Sequence, residues 1–503
     1  MKKTIGGYRL IFGYLGIFLA VIGSIMLLPL ILLIVPSYRD DVQYLWNFFI
    51  PGISCVIAGI LSFIFLAAKK EKDKLGKHQD SVLLILIWLF AIGLSSLPFV
   101  LSGEMSFTDS IFESTSGYAT VGLTRFPEHM FNSHIYVFYR AILQFFGGVG
   151  FVLIVTSVIS DRYGLKLYTA EGHTDKLIPN LGKSARIILS IYVGYIALGT
   201  LALWIAGVPV FDALCHSISS VATGGFSSKP GGMLEIGGNP VAVEIITMVL
   251  MFLGGTNFVL NMFIITGRFK RFWKDIEFRT FLVFMVILLP LFIVSFLTSK
   301  KPDSLENYSV AESFRYGVFS FMTGMTTTGY SNMPHGWALA PYSAVFLIII
   351  TNVIGAGAGS TAGGVKLYRV GVAAKSYYWT MRDKLSNKRY LFPNYIWRFG
   401  ERREIQKNES SECLGYLVLY MIVMFVGAFL VSLLGNEDLS RSLFEFSNAL
   451  SSTGLSNGLT MAATNPAVLW VMIVGMFAGR LEILAIYYAF LRIARDIFRK
   501  ETY

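Results

Sequence analysis

Four short segments pair a threonine or serine with glycine. They are Thr120-Val121-Gly122-Leu123, Ala222-Thr223-Gly224-Gly225-Phe226, Thr326-Thr327-Thr328-Gly329-Tyr330 and Ser452-Thr453-Gly454-Leu455. Glycine permits the strained backbone that aims carbonyls toward one axis. A ring of four such loops can replace the hydration shell of a cation, and one chain with four copies can build the ring alone. The expected metal ligands are Thr120, Val121, Gly122, Thr223, Gly224, Thr328, Gly329, Thr453 and Gly454. A second cluster, Gly355 to Gly364, places glycines at 355, 357, 359, 363 and 364 and is followed by Lys366. A third feature is Arg480, in the apolar setting Gly479-Arg480-Leu481-Glu482.

Those residues need elements to hold them. The chain has 503 residues, of which 54% are hydrophobic and only 15% charged, well below the roughly 25% charged of soluble domains. Apolar runs of about 20 residues, long enough to cross a bilayer, recur throughout. The expected fold is an all-α polytopic membrane protein. Two N-terminal spans and a charged loop occupy 1–78. Four units follow, at 79–165, 184–270, 278–375 and 411–503, separated before the last by a basic aromatic segment at 376–410.

Each unit reads as a span, a short re-entrant helix, a filter-like loop and a second span. The re-entrant segments are Phe107–Ala119, Val210–Ala222, Glu312–Met325 and Leu439–Ser451. Each is too short to cross, and irregular backbone at membrane depth must be buried or line a water-filled cavity. A helix C-terminus directed at that cavity favours a cation. Units of equal topology predict a pseudo-fourfold axis along the membrane normal around a central pore.

Of the 42 Lys and Arg, 33 lie in 1–9, 69–78, 161–186, 268–279, 366–409 and 492–503. The excess of positive charge on cytoplasmic segments then places both termini in the cytoplasm of a multi-pass cell-membrane protein. The net charge of +11 therefore reflects topology and not nucleic-acid binding. The segment 376–410 suits either a cytosolic partner or anchoring at the lipid surface.

Five glycines in ten residues unwind a helix in mid-membrane, so 355–364 reads as an intramembrane gate. The alternative is a small-residue helix interface. Gly357 to Ala362 matches a dinucleotide-binding spacing, but no βαβ unit surrounds it. An intramembrane arginine costs about 2.5–3.5 kcal/mol, and facing a pore Arg480 would oppose a cation. Glu482, two residues on, lies on another helix face, so a simple pair is not expected. Arg140 either snorkels or braces a loop. Asn257 and Asn261 read as helix–helix glue. Cys55, Cys215 and Cys413 lack metal or redox spacing, and no histidine pairing suggests zinc, so no enzyme chemistry is expected.

Taken together, Thr-Thr-Thr-Gly at 326–329, Ala-Thr-Gly-Gly-Phe-Ser at 222–227, Gly-Ala-Gly-Ser-Thr-Ala-Gly-Gly-Val-Lys at 357–366, Gly-Arg-Leu-Glu at 479–482, and Tyr139-Arg140 with Gln144-Phe145-Phe146-Gly147-Gly148 resemble the Trk/Ktr/HKT superfamily of potassium transporters, TrkH type. The first and fourth loops, Tyr118-Ala119-Thr120-Val121 and Ser451-Ser452-Thr453, depart from its usual threonine run, which bears on selectivity. The resemblance implies filter glycines at Gly122, Gly224, Gly329 and Gly454. It also implies a gate formed by Gly355, Gly357, Gly359, Gly363, Gly364 and Lys366 against Arg480. The permeant ion would be K⁺, with Rb⁺ accepted. A homodimer, and a cytosolic TrkA-like ring that alone binds nucleotide, are the implied partners besides the bilayer. The competing reading is a secondary transporter of another cation or small solute, with the broken helix as its site.

Overall fold

The computed structural model describes residues 6–66, 79–150, 181–302, 306–386, 393–460, 464–484, 486, 487 and 489–491. The charged loop 69–78, most of the basic stretch 161–186 and the basic residues 492–503 lie outside them, as do both chain ends. Among the described residues six helices are long and apolar enough to cross a membrane, or seven if one sharply bent pair is a single span.

The first two spans, α1 (Gly6–Leu27) and α2 (Leu45–Leu66), form an antiparallel pair. Its closeness follows from glycine. A Cβ on Gly16 would press on the Gly59 carbonyl, and one on Gly23 would meet the Val56 backbone at 2.8 Å. The pair packs on the first unit, where Asn47 Nδ2 donates to the Tyr136 hydroxyl at 3.1 Å and Phe48 packs on Tyr136 and Tyr139.

The first unit begins with α3 (Gln79–Ser95) and α4 (Leu97–Leu101). The short helix α5 (Phe107–Tyr118) and then α6 (His134–Val149) follow. The second holds α7 (Leu181–Ile205), the short α8 (Val210–Val221), α9 (Pro240–Gly255) and α10 (Phe258–Ile265). The last two meet at a bend of 119°. After α11 (Phe269–Lys274), the third unit runs through α12 (Ile276–Leu297), the short α13 (Val310–Met325), α14 (Tyr342–Ile354) and α15 (Leu367–Leu385). The fourth comprises α16 (Lys407–Gly435), the short α17 (Leu439–Leu450) and α18 (Pro466–Arg480).

The short helices start and stop within two residues of the sequence expectation, for local reasons. Ser106 caps α5 by accepting from the Asp109 amide, and Ser309 with Glu312 makes a full capping box on α13. Long spans carry exposed apolar faces, such as Val283, Val286 and Ile287 on α12 and Val418, Ile422 and Phe425 on α16, as expected of helices in contact with lipid.

One element was not anticipated. Within the basic aromatic segment, β1 (Tyr395–Arg398) and β2 (Glu401–Glu404) form a hairpin turned by Phe399-Gly400, both at positive φ. Ile396 and Ile405 pack with Ile276, Val372, Trp379 and Cys413. The Phe399 amide donates to Asp275 Oδ2, and Arg398 lies 3.9 Å from Glu277. The hairpin is thus seated on the bases of α12 and α15.

Candidate ion-conducting site

Each short helix ends in the same way. One residue past the C-cap, the backbone turns left-handed at Thr120 (φ 50), Thr223 (φ 50), Thr327 (φ 52) and Ser452 (φ 57). The amides of these residues donate to the carbonyls of Gly117, Ser220, Gly324 and Ala449. The next amides, Val121, Gly224, Thr328 and Thr453, reach back to Ser116, Ser219, Thr323 and Asn448. This is the Schellman pattern of helix termination, with a hydroxyl residue where glycine is the rule. Holding a non-glycine residue there costs of order 1–3 kcal/mol. Four instances at one position mark the loops as constrained by something other than ease of folding.

The loops touch in cyclic order. A Cβ on Gly122 would overlap the Gly224 carbonyl, one on Gly225 the Thr328 carbonyl, one on Gly329 the Gly454 amide, and one on Gly454 the Val121 carbonyl. First meets second, second third, third fourth, and fourth first. Thr120, Thr223, Thr327, Thr328, Ser452 and Thr453 are all buried. The hydroxyls of Thr120 and Ser452 are fully enclosed with no protein hydrogen-bond partner. Oxygens of that kind suit a hard cation.

The geometry alters one residue assignment. By the left-handed residue and the backbone bonds, Gly225 (φ 74) is the counterpart of Gly122 (φ 94), Gly329 (φ 90) and Gly454. Gly224 is instead the counterpart of Val121, Thr328 and Thr453. The paired glycines allowed either register in the sequence. Gly224 is fixed by another contact, since Gln144 Nε2 donates to its carbonyl at 2.6 Å.

A buried acceptor braces three of the loops from seven positions before the left-handed residue. Glu113 accepts from the Arg125 amide at 2.8 Å and from Thr124 Oγ1 at 3.0 Å. Glu445 accepts from the amides of Asn457 at 2.9 Å and Leu459 at 3.1 Å. His216 sits 3.2 Å from Ser227 Oγ and stacks on Tyr330. Arg140 is buried rather than snorkelling. Its Nε donates to Glu113 at 2.7 Å, Nη1 to the Ser227 carbonyl, and its guanidinium lies 4.1 Å from the Phe226 ring centre. Reading the four units against one another would have found Glu113 and Glu445.

Next to the ring, the chain between α14 and α15 is non-helical from Gly355 to Lys366. Gly355 (φ 69), Gly359 (φ 69), Gly364 (φ 75) and Lys366 (φ 81) take left-handed backbone, and Gly357 and Gly363 fit where a Cβ would strike neighbouring backbone. The loop is tied to the ring. Thr361 Oγ1 is 3.0 Å from Thr223 Oγ1, and the Gly363 amide donates to Thr327 Oγ1 at 2.8 Å. Thr361 Oγ1 also bonds the Val221 and Gly254 carbonyls. Asn257, at the bend of the second unit, donates to the Ala358 carbonyl. Asn261 donates to the Leu253 and Thr256 carbonyls at that bend. These asparagines satisfy broken backbone and also join elements, since Asn261 Oδ1 accepts from the Tyr195 hydroxyl of α7 at 3.4 Å.

Arg480 lies across the same loop, donating to the carbonyls of Thr361, Gly147 and Gly148. Glu482 pairs elsewhere, with Arg369 at 2.7 Å. Lys366 Nζ donates to the Ala362 carbonyl at 2.8 Å. A cavity among Gly363, Lys366, Gly479 and Arg480 is lined by both cations.

A family model described as TrkH, cation transport protein, matches residues 46–497. The Trk system potassium uptake protein TrkH of Salmonella typhimurium is 27% identical over 492 residues, covering 95% of this chain and 97% of its own. The protein of that name from Vibrio parahaemolyticus is 28% identical over 499 residues with the same coverage. An uncharacterized cation transporter of Methanocaldococcus jannaschii is 28% identical, covering 96% and 95%. The crystal structure of the potassium transporter TrkH from Vibrio parahaemolyticus superimposes with a TM-score of 0.80 at 25% identity, over 95% of this chain and 98% of that one.

Proposed function

Since the chain belongs to the TrkH family of cation transport proteins, we propose that it takes up K⁺ through the ring of four loops, with the segment 355–366 as the gate. The observation that carries this is the cyclic contact of the loops at Gly122, Gly225, Gly329 and Gly454. Its chemistry is backbone and hydroxyl oxygen on a cation, with four helix C-termini adding negative potential. Thr120, Val121, Gly122, Thr223, Gly224, Thr328, Gly329, Thr453 and Gly454 supply the oxygens, and Gly225 joins them. K⁺ is cargo, and Rb⁺ should follow the same path. The relatives named as potassium uptake proteins support K⁺ as the ion.

Arg480 and Lys366 set the barrier at the gate, and the broken segment moves to lift it. The basic end carrying the hairpin faces the cytoplasm, and the chain sits in the cell membrane as half of a homodimer. A cytosolic nucleotide-binding ring docks at that end. The resemblance supports these assignments, as does the concentration of Lys and Arg there. The test is cation flux into liposomes holding purified protein. K⁺ and Rb⁺ should cross and compete, while Na⁺ and Li⁺ lag. Flux that follows an organic solute instead would favour a secondary transporter.

A further inference from the structure

Where the hairpin meets the membrane spans, a cleft of about 250 Å³ opens between α12 and α15. Lys274, Arg279 and Lys375 are among the residues that line it, as is Trp397. The remainder is apolar and includes Val283 and Phe284. Lys274 Nζ stands 4.8 Å from the Trp397 ring centre, so the two are held together. Arg279 Nε donates to the Trp273 carbonyl. No ion pair with a described acidic residue is seen for any of these three cations. The carboxylates close by are engaged: Glu277 lies against Arg398 and Asp275 caps α12 while accepting from Phe399.

We propose that this cleft is a binding site for an anionic phospholipid, its phosphate held by Lys274, Arg279 and Lys375. Three positive charges without acidic partners ask for a counter-anion. Basic pockets between spans at the cytoplasmic side are suited to lipid headgroups, and an indole at this depth suits the interface. The choice of a lipid over a soluble anion rests on what continues from the cleft. Val283, Val286 and Ile287 run along α12, all more than half exposed, and form a track for an acyl chain. α15 begins immediately after the proposed gate, so a lipid seated here would brace the helix that carries it.

The test uses the full chain in detergent. Phosphatidylglycerol and phosphatidylcholine are offered in equal amounts, and retained lipid is read by native mass spectrometry. Phosphatidylglycerol should be kept in preference, and retention should weaken roughly fivefold for each cation neutralised in Lys274→Gln, Arg279→Gln and Lys375→Gln. The single variants keep the test usable if the triple fails to assemble. Phosphatidylglycerol brominated on its acyl chains should quench wild type more than Trp397→Phe. Equal retention of both lipids, or unchanged retention in assembled variants, would overturn the proposal. Displacement by inorganic phosphate alone would also overturn it, by making this a soluble-anion site. None of these readouts depends on ion flux, so the site stands or falls apart from the pore.

Discussion

Arg480 donates from Nη1 to the carbonyl of Thr361 across 2.7 Å, and this bond joins the end of the fourth unit to the glycine-rich loop of the third. The same guanidinium reaches the Gly147 and Gly148 carbonyls of the first unit. A cation fixed there opposes another by about 4 kcal/mol at 4 Å and an effective dielectric near 20. Arg480→Ala and Arg480→Gln are expected to assemble and to raise Rb⁺ uptake into proteoliposomes at matched protein density. Lysine should substitute poorly, since it cannot fork between carbonyls of two units. Uptake equal to wild type in assembled Arg480→Ala would make this arginine a brace and not a barrier.

The gate loop itself should respond to loss of its latch. Thr361→Val removes a hydroxyl bonded to the Val221 and Gly254 carbonyls. The one hydroxyl proton is shared between the two carbonyls, so at about 1 kcal/mol net the loop should leave its seat roughly fivefold more often. Removal of 357–363 should go further in the same direction. Both changes raise flux with ion preference nearly intact. If the segment is only a close-packed interface, these variants lose assembly, which size-exclusion chromatography would reveal.

Arg140 and Glu113 offer a test of the brace. Both side chains are almost wholly enclosed, so removing one leaves the other charged and unpaired. Glu113→Gln should lower stability by about 3–5 kcal/mol, read as a lowered thermal unfolding midpoint in detergent. Adding Arg140→Met should restore part of that loss. An unchanged midpoint in Glu113→Gln would show that the pair does not hold the first loop.

Much of this arrangement was legible in the sequence, for definable reasons. The short helices announce themselves through capping residues and a length that cannot cross a membrane. The break in the helix at 355–364 is legible because five glycines in ten residues disfavour a helix. What escaped was decided by packing. Gly224 and Gly225 are equivalent on paper, and only the left-handed turn at Thr223 sets their register. Asn261 reads as an interhelical polar residue, and it does meet Tyr195, but its second task, bonding the backbone of the bend, shows only in the fold. The hairpin was hidden because its strands are four residues each and its inward face mixes Ile396 with Arg398.

Gln144 gives the register a functional reading. Gln144→Leu keeps the size of the side chain but drops its bond to the Gly224 carbonyl. One such bond is worth about 1 kcal/mol, so K⁺ over Na⁺ preference should fall by roughly fivefold while assembly holds. Competition of Na⁺ against Rb⁺ uptake measures this, and an unchanged ratio would free the second loop from dependence on Gln144.

Passage of ions through the ring of four loops can be read from one residue. At Gly329 a Cβ would overlap the Gly454 amide, and the backbone stands at φ 90. Rb⁺ and Na⁺ flux should be compared in liposomes holding wild type or Gly329→Ser at equal assembly. Wild type should show strong K⁺ and Rb⁺ preference, and Gly329→Ser should lose it, with Na⁺ entering readily. A well-assembled Gly329→Ser that keeps wild-type preference would rule out conduction through this ring.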